Sequence, residues 1–278
     1  MNILEITFLI WLGSILAGFL GALTGLGGGV VIVPMLTLGF GVDIRYAIGA
    51  SLVSVIATSS GAAAAYVREG FSNIRIGMFL EMATTLGALA GAMLASRLSS
   101  PAISTIFGFV LLHAAFSSFR TRHKRPLSER PDPLAVRLGM DASYPGPDGP
   151  NVYHVQAVPL GFGLMFGAGA ISGLLGIGSG AVKVLAMDQV MRIPFKVSTT
   201  TSNFMIGVTA AASAGIYLNR GYLEPGLVMP VMLGVLLGAL SGARLLPGAR
   251  TSVLRTVFSI VILLLALEMI SHGIRGGL

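Results

Sequence analysis

The sequence contains no cysteine and few charged residues. Of its 278 residues, 10% are charged and 54% are hydrophobic. The lack of cysteine excludes disulfide bonds, thiolate metal sites and cysteine nucleophiles. Soluble domains carry roughly 25% charged residues, so a chain this poor in charge faces hydrocarbon over most of its surface. The composition therefore predicts an all-α integral membrane protein with many spans.

The net charge of +7 does not indicate nucleic-acid binding. Much of the charge lies in one polar segment and in loop positions that set membrane topology. The expected partner is the lipid bilayer, and no nucleic acid is expected. The N-terminal stretch lacks a basic region and a clear cleavage site, so we interpret it as a retained first span.

Ten apolar segments follow one another along the chain, and most have about the 20 residues that a span requires. Two of them, 28–41 and 181–191, are too short to cross a full bilayer, and each directly follows a glycine cluster. The segments lie near 3–24, 28–41, 46–67, 74–96, 102–119, 157–175, 181–191, 197–218, 226–246 and 253–271.

The chain contains an internal repeat. A shift of 151 residues aligns 25–116 with 176–267 without a gap, and roughly a quarter of the positions are identical, which indicates a duplication. "LGALAGAML" at 86–94 falls on "LGALSGARL" at 237–245. We predict three parts: a first transmembrane repeat (1–119), a cytoplasmic linker (120–156) and a second transmembrane repeat (157–278).

The distribution of basic residues between the two sides of the membrane indicates how the two halves of the chain are oriented. The basic cluster in the linker is expected in the cytoplasm. Five segments per half give ten spans in two inverted repeats, with glycine-broken hairpins and both termini outside. If 1–41 and 157–191 each count as one span, the chain has eight spans in two parallel repeats. The inverted arrangement puts more charge inside: Arg68, Arg75, Arg192, Lys196, Arg244, Arg250 and Arg255 lie inside, and Arg45, Arg97, Arg220 and Arg275 outside.

The linker itself leaves two interpretations open. Its turn-rich "YPGPDGPN" closes either a small β-hairpin or an irregular connection. The inverted repeat is the more informative feature, because hydrophobic segments broken by glycine at matching positions are typical of the binding site of a secondary transporter.

Two motifs resemble a known family. They are "GALTGLGGGVVIVPML" at 21–36 and "SGLLGIGSGAVKVLAMD" at 172–188, each followed by a Ser/Thr-rich helix ("AIGASLVSV" and "VSTTTSNFMIG"). They resemble the TauE/SafE sulfite exporter family over nearly the whole chain apart from the linker. In the second motif, Ser179 and Leu185 replace the Gly28 and Pro34 of the first, so the two motifs are not expected to play identical roles.

The resemblance implies a multi-pass transporter in the cytoplasmic (inner) membrane of a prokaryote. Its substrates would be small organosulfur anions such as sulfite, sulfonates or sulfoacetate. Transport would be coupled to an ion gradient, with the proton as the expected coupling ion. A homodimer is compatible with this reading.

The glycine clusters are candidate anion sites. We interpret them as hairpin tips, where glycine lets the backbone turn and approach a ligand. The following short helices offer free N–H groups and the positive end of a dipole. Tight helix packing is the alternative explanation. The candidate residues are Gly27, Gly28 and Gly29 in the first tip and Gly178, Ser179 and Gly180 in the second.

Hydroxyl and amide groups inside the two following helices can donate hydrogen bonds to substrate oxygens. These candidates are Ser51, Thr201, Ser202 and Asn203. Hydrogen bonding between helices would explain the same residues.

Lys183 and Glu81 are charged residues within apolar segments, and such residues face a cavity or a partner. Lys183 is either a substrate contact or a lysine that extends to the membrane interface. Glu81 is either the carrier of a coupling proton or a static partner of Lys183, Thr84 or Thr85. Their repeat counterparts are Ile32 and Met232, so neither charge is duplicated. His113 is expected to face the interior of the bundle.

Three other functions stay open. A passive anion channel or a carboxylate transporter would use the same site. An intramembrane serine hydrolase would need a base near Ser179, and the histidines are poorly placed for that role. We therefore expect no enzyme activity, no catalytic residues, no metal and no cofactor.

Overall fold

The computed structural model describes residues 2–24, 28–68, 72–119, 132–146, 149–245 and 251–276. Helices account for most of these residues, and one β-hairpin lies in the linker. The elements are α1 (Ile3–Thr24), α2 (Gly29–Pro34), α3 (Ile44–Arg68), α4 (Ile74–Ala95), α5 (Ser100–Phe119), α6 (Pro133–Arg137), β1 (Ala142–Gly146), β2 (Gly149–Tyr153), α7 (Val158–Leu175), α8 (Gly180–Leu185), α9 (Phe195–Asn219), α10 (Pro225–Leu245) and α11 (Thr251–Arg275).

Four of the described helices are long and apolar enough to cross a membrane: Leu4–Gly21, Ile74–Ala95, Val158–Leu175 and Pro225–Gly242. Shorter apolar stretches lie in α2, α3 and α5. Large apolar side chains such as Leu16, Met82 and Leu237 are exposed on the outside of the bundle. Exposure of this kind on several neighbouring helices requires a lipid environment. The chain has the character of a helical membrane protein, as the composition predicts.

The two short apolar segments form two short helices. Helix α2 has six residues and continues as a five-residue π-helical turn, Met35–Gly39. Helix α8 has six residues and continues in the same way through Ala186–Val190. Each combined helix is about 16 Å long at 1.5 Å per residue, roughly half of the ~30 Å hydrocarbon thickness. Neither combined helix is long enough to cross the hydrocarbon, and each begins at a buried glycine and ends near an exposed residue, Gly39 or Gln189.

Helices of one half pack on helices of the other. Helix α4 packs on α7, and α10 packs on α1. In both pairs, glycines bring the backbones so close that a Cβ would collide with a carbonyl oxygen. The contacts are Gly87 with Phe166, Gly169 with Thr84, Gly238 with Ile15, and Gly18 with Val235. Each contact in the first pair becomes one in the second when residues 151 apart are exchanged.

Helices α5 and α11, which correspond under the same shift, pack against each other. Their close contacts are Gly108 with Ile270, Thr105 with Gly273, and Pro101 with Gly276. Residue numbers fall along α11 as they rise along α5. The two helices therefore run antiparallel.

The linker packs as a small cap, defined here as residues 132–157 without 147–148. Its strands pair antiparallel, with Ala142 opposite Tyr153, so the hairpin is the interpretation that the structure supports. The cap buries Met140, Tyr153 and Val155 against α4, α7 and α9, in an apolar core separate from the larger core between the two halves.

Asn73 connects the cap to the bundle through hydrogen bonds. Its Oδ1 accepts a hydrogen bond from the Ile76 N–H and so caps the start of α4. Its Nδ2 donates to the Met140 carbonyl oxygen and to the Tyr153 hydroxyl. The first turn of α4 is thereby joined to the linker. We call this end of the bundle the linker end.

Candidate functional site

Lys183 lies in the interior of the bundle with a fully buried side chain. Helix α8 begins at Gly180, just after the second glycine tip, and places Lys183 in its last turn. The ammonium donates a hydrogen bond to Thr209 Oγ1 at 2.5 Å, and Nζ lies 4.0 Å from Glu81 Oε2. An ammonium this far from water requires such polar partners, because burial of an unpaired charge is expensive.

The Glu81 carboxylate accepts three hydroxyl hydrogen bonds. Thr209 donates to Oε1 at 2.7 Å, Thr84 donates to Oε2 at 2.9 Å and Thr85 donates to Oε1 at 3.2 Å. Only 7% of Glu81 is exposed. We call Lys183, Glu81, Thr209, Thr84 and Thr85 the charged cluster. It joins a cation from one half of the chain to an anion from the other.

Helical spacing explains how the cluster assembles. Thr84 and Thr85 follow Glu81 by three and four residues on α4, so their hydroxyls lie beside its carboxylate. On α9, Ser202 and Thr209 are seven residues apart and share a face. Sequence analysis did not single out Thr209 as a site residue. Its position on the Ser202 face was the signal available.

The two glycine tips meet in the described residues. A Cβ on Gly29 would lie 2.9 Å from the Gly176 carbonyl oxygen, and Ser51 Oγ donates to that same oxygen at 2.7 Å. Gly176 has φ +68, a left-handed conformation that favours glycine. Glycine at these two positions thus allows the backbones of the two halves to approach each other closely. Gly27, the other candidate of the first tip, lies outside the described residues.

Ser179 holds the least common backbone conformation of the second tip. Its φ of 43 is left-handed, which is unfavourable for a residue with a side chain. Its hydroxyl is buried and has no hydrogen-bond partner in the part of the chain that the structure describes. Gly178 and Gly180 beside it pack on Ile206 of α9. A strained residue with an unpaired buried hydroxyl is a favourable position for a ligand contact.

The remaining candidates divide into two groups. Ser202 donates to the Gly180 carbonyl oxygen at 3.3 Å and so lies at the start of α8. Thr201 instead accepts a hydrogen bond from the Asn73 N–H at the linker end. Asn203 lies about 120° around α9 from the Thr209 face and is partly exposed. Gly28 packs against Val235 of α10. The structure therefore brings Ser202 close to the second tip but not Thr201 or Asn203.

A shift of 151 residues gives the charged residues of the cluster no charged counterpart. The residues that correspond to Lys183, Thr209 and Glu81 are Ile32, Thr58 and Met232. Ile32 is completely buried in the larger apolar core. The described ranges contain no group of three or more histidine, aspartate or glutamate residues arranged to hold a metal ion.

Comparison with known proteins identifies the family. The family model for "Sulfite exporter TauE/SafE" matches residues 10–269. The chain belongs to this family. Both short helices, the charged cluster and the cap of this TauE/SafE protein lie within the matched range, so the resemblance of the two glycine motifs is confirmed.

Curated relatives of this TauE/SafE protein cover almost its whole length. "Probable membrane transporter protein YunE" of Bacillus subtilis is 27% identical over 94% of this chain and 96% of its own. "Probable membrane transporter protein YdhB" of the same organism is 27% identical over 88% and 89%. A "Probable membrane transporter protein" of Methanocaldococcus jannaschii is 22% identical over 96% of both chains. No solved structure matches the chain.

Proposed function

We propose that this chain is a secondary transporter that moves small organosulfur anions across the cytoplasmic membrane of a prokaryote by alternating access, coupled to protons. The observation that carries the proposal is the buried charged cluster, in which one cation and one titratable carboxyl group share a hydroxyl between the two halves of the chain. Membrane transport follows from the family and from the names of its relatives. The substrate class follows from the family name alone.

We propose ten membrane segments in two inverted repeats of five. The reciprocal glycine contacts of the α4–α7 and α10–α1 pairs support a twofold relation between the halves. The antiparallel packing of α5 on α11 supports the inverted rather than the parallel arrangement, because parallel repeats would orient corresponding helices alike. Inverted repeats with short helices near the middle are typical of secondary transporters.

The charged cluster suggests how a proton and an anion are coupled. With Glu81 ionised, its negative charge neutralises Lys183. Protonation of Glu81 removes that charge and leaves the Lys183 ammonium able to bind an anion. Since each event favours the other, proton and anion bind together and travel in the same direction. The two gradients then decide which way net transport runs.

The anion is proposed to bind between Lys183 and the glycine tips. Ser179 has an unpaired hydroxyl in the second tip, while Ser202 and Ser51 line the neighbouring turns. The Ser179 hydroxyl and the Lys183 ammonium would donate to the oxygen atoms of a sulfite or sulfonate group. Ser51 and Ser202 would add two further donors on releasing the Gly176 and Gly180 carbonyl oxygens. No general base contacts Ser179 within the described ranges, so nothing observed favours the hydrolase alternative.

Transport in proteoliposomes tests the proposal. An inward proton gradient should drive saturable accumulation of sulfite or sulfoacetate, and lactate should not compete. Glu81→Gln should abolish accumulation driven by the gradient but retain exchange of labelled substrate for unlabelled substrate. Glu268→Gln, which removes an exposed acid from α11, should behave like the unmodified protein.

Three results would contradict parts of the proposal. Unsaturable flux without exchange indicates a channel. Accumulation of lactate but of no sulfur anion overturns the substrate class. Accumulation by Glu81→Gln equal to that of the unmodified protein overturns the role of Glu81 in coupling.

A further inference from the structure

A narrow crevice lies at the end of the bundle opposite the linker cap. It is formed where α4 and α9 end and α3 begins. Its wall includes two arginines, two tyrosines and two small residues of α4 and the turn after it: Arg45, Arg220, Tyr217, Tyr222, Ala92 and Ser96. In this conformation it is too narrow for a bound anion.

The crevice carries two guanidinium groups and no acidic side chain in its lining. Arg45 donates to the Leu98 carbonyl oxygen at 2.6 Å, and its guanidinium carbon lies 5.9 Å from the centre of the Tyr222 ring. Arg45 Nε is buried without a hydrogen-bond partner among the described residues. Arg220 is exposed.

Neither arginine forms an ion pair with a residue that the structure describes. The ion pairs found in the described ranges are His154 with Asp141 and Lys183 with Glu81. Asp43 is near Arg45 in sequence, but its carboxylate accepts from the Ser100 hydroxyl and from the Arg45 backbone N–H. Both guanidinium groups therefore lie at the crevice without a paired carboxylate in these ranges. Such a site attracts anions.

Two helix faces lead from the crevice to the charged cluster. On α9, Thr209, Ser213, Tyr217 and Arg220 repeat at helical spacing on one face, about 16 Å from first to last. On α4, the face that carries Glu81 continues through buried alanines, which are Ala88, Ala92 and Ala95. The side chains on this face of α4 are therefore small between the crevice and the charged cluster.

Tyr217 lies between the crevice and the second glycine tip. Its side chain is buried, and its hydroxyl donates to the carbonyl oxygens of Gly173 at 3.2 Å and Leu174 at 3.3 Å. Those carbonyls belong to the last turn of α7, directly before the second glycine tip. Tyr217 thus joins the wall of the crevice to the tip across the path between α4 and α9.

We propose that the crevice is the outer entrance of the anion path, that Arg45 and Arg220 capture the incoming anion, and that Tyr217 closes the path in this conformation. The ligand class is a small oxyanion of the sulfonate type. The path rests on the proposed transport function, whereas the charge preference of the entrance does not.

Cysteine labelling tests the entrance directly, because the native chain has no cysteine. Ser96→Cys places a thiol in the crevice, and Ser99→Cys places one on an exposed turn at the same end. Each is treated from outside intact cells with anionic sulfonatoethyl methanethiosulfonate and with its cationic trimethylammonium analogue. We expect the anionic reagent to be favoured at Ser96→Cys by about tenfold relative to Ser99→Cys, the lower end of electrostatic steering.

Substitutions of the arginines and the tyrosine complete the test. Arg45→Gln and Arg220→Gln should each lower the preference of Ser96→Cys for the anionic reagent. Arg220→Lys, which keeps the charge, should retain that preference. Tyr217→Phe should speed labelling of Ala92→Cys, which lies deeper in the crevice. Equal preference at Ser96→Cys and Ser99→Cys would overturn the capture role, and unchanged labelling of Ala92→Cys would overturn the closing role of Tyr217.

The outcome separates this inference from the proposed function. Labelling requires no transport, so a charge preference without sulfur-anion transport leaves the entrance in place and removes only the proposed function. Labelling of Ser96→Cys from the cytoplasmic side alone would overturn the outer location of the crevice.

Discussion

Lys183 Nζ lies 4.0 Å from Glu81 Oε2, and the Thr209 hydroxyl contacts both side chains. Lys183 comes from the second half of the chain and Glu81 from the first. The pair therefore forms only when the halves pack. A buried ion pair adds little to stability by itself, but the loss of one partner leaves the other charge unpaired.

Removal of either charge should destabilise the protein, and removal of both should not. Lys183→Ile or Glu81→Met alone should each lower the free energy of unfolding by about 3 kcal/mol, because a single buried charge remains. The double variant takes the residues found at the corresponding positions, Ile32 and Met232. It should recover most of the stability while transport stays lost. Unfolding in detergent and uptake in vesicles measure the two effects.

Glu268→Met serves as the control for this cycle, since Glu268 is exposed on α11. It should leave the free energy of unfolding unchanged. A double variant as unstable as the sum of the single variants would show that Lys183 and Glu81 act independently.

Alanine at the meeting point of the two glycine tips should disrupt the site. A Cβ on Gly29 would lie 2.5 Å from Ser51 Oγ, and one on Gly176 would lie 2.8 Å from Ile48 Cγ2 in a left-handed backbone. We expect each variant to lose about 1–3 kcal/mol of unfolding free energy and to lose uptake. Gly163→Ala is the matched control, because Gly163 of α7 has open space around it. If the tip variants retain the uptake of Gly163→Ala, the close approach is not required.

Loss of the Asn73 side chain should loosen the linker cap. Asn73→Ala removes the helix cap and both hydrogen bonds to the linker, so we expect a loss of about 1–2 kcal/mol and faster proteolysis within 120–156. Asn73→Asp keeps the cap of α4 but cannot donate to the Met140 carbonyl oxygen. Its proteolysis rate should lie between those of Asn73→Ala and the unmodified protein. Equal proteolysis rates for all three proteins would show that Asn73 does not hold the cap on the bundle.

Membrane topology can be read from two exposed positions. Ser143 lies on β1 of the cap and Asn219 at the end of α9. Helix α9 starts beside the cap, and its 25 residues rise about 37 Å. Ser143→Cys and Asn219→Cys should react with an impermeant maleimide from opposite sides, Ser143→Cys from the cytoplasm. Reaction of both from one side would contradict the proposed topology.

The helices and the two short segments could be predicted because their signals are local or repetitive. Apolar runs define the helices. The glycines at 176 and 178 are needed where φ is positive, so their spacing marked the second tip directly. The resemblance to the family also depended on these motifs, and the match over residues 10–269 confirms it.

Contacts between distant segments could not be predicted in the same way. The charged cluster depends on the packing of α4 against α9, which no local pattern encodes. Thr201 and Asn203 looked equivalent to Ser202 in "TTTSN", but neighbouring residues on a helix point about 100° apart, and only Ser202 faces α8. The expectation for His113 was wrong, since it is exposed on the outer face of α5.

The linker cap has a consequence for the proposed transport cycle. If the two inverted repeats had the same sequence, the conformations open to the two sides of the membrane would mirror each other and have equal free energy. The cap buries Met140, Tyr153 and Val155 at one end of the bundle, and no comparable unit packs on the opposite end in the ranges that the structure describes. In the alternating-access cycle proposed above, opening the linker end would disturb this contact, while opening the other end would not. The proposed cycle would therefore have a preferred resting orientation, and the hydrogen bonds of Asn73 would set part of the bias.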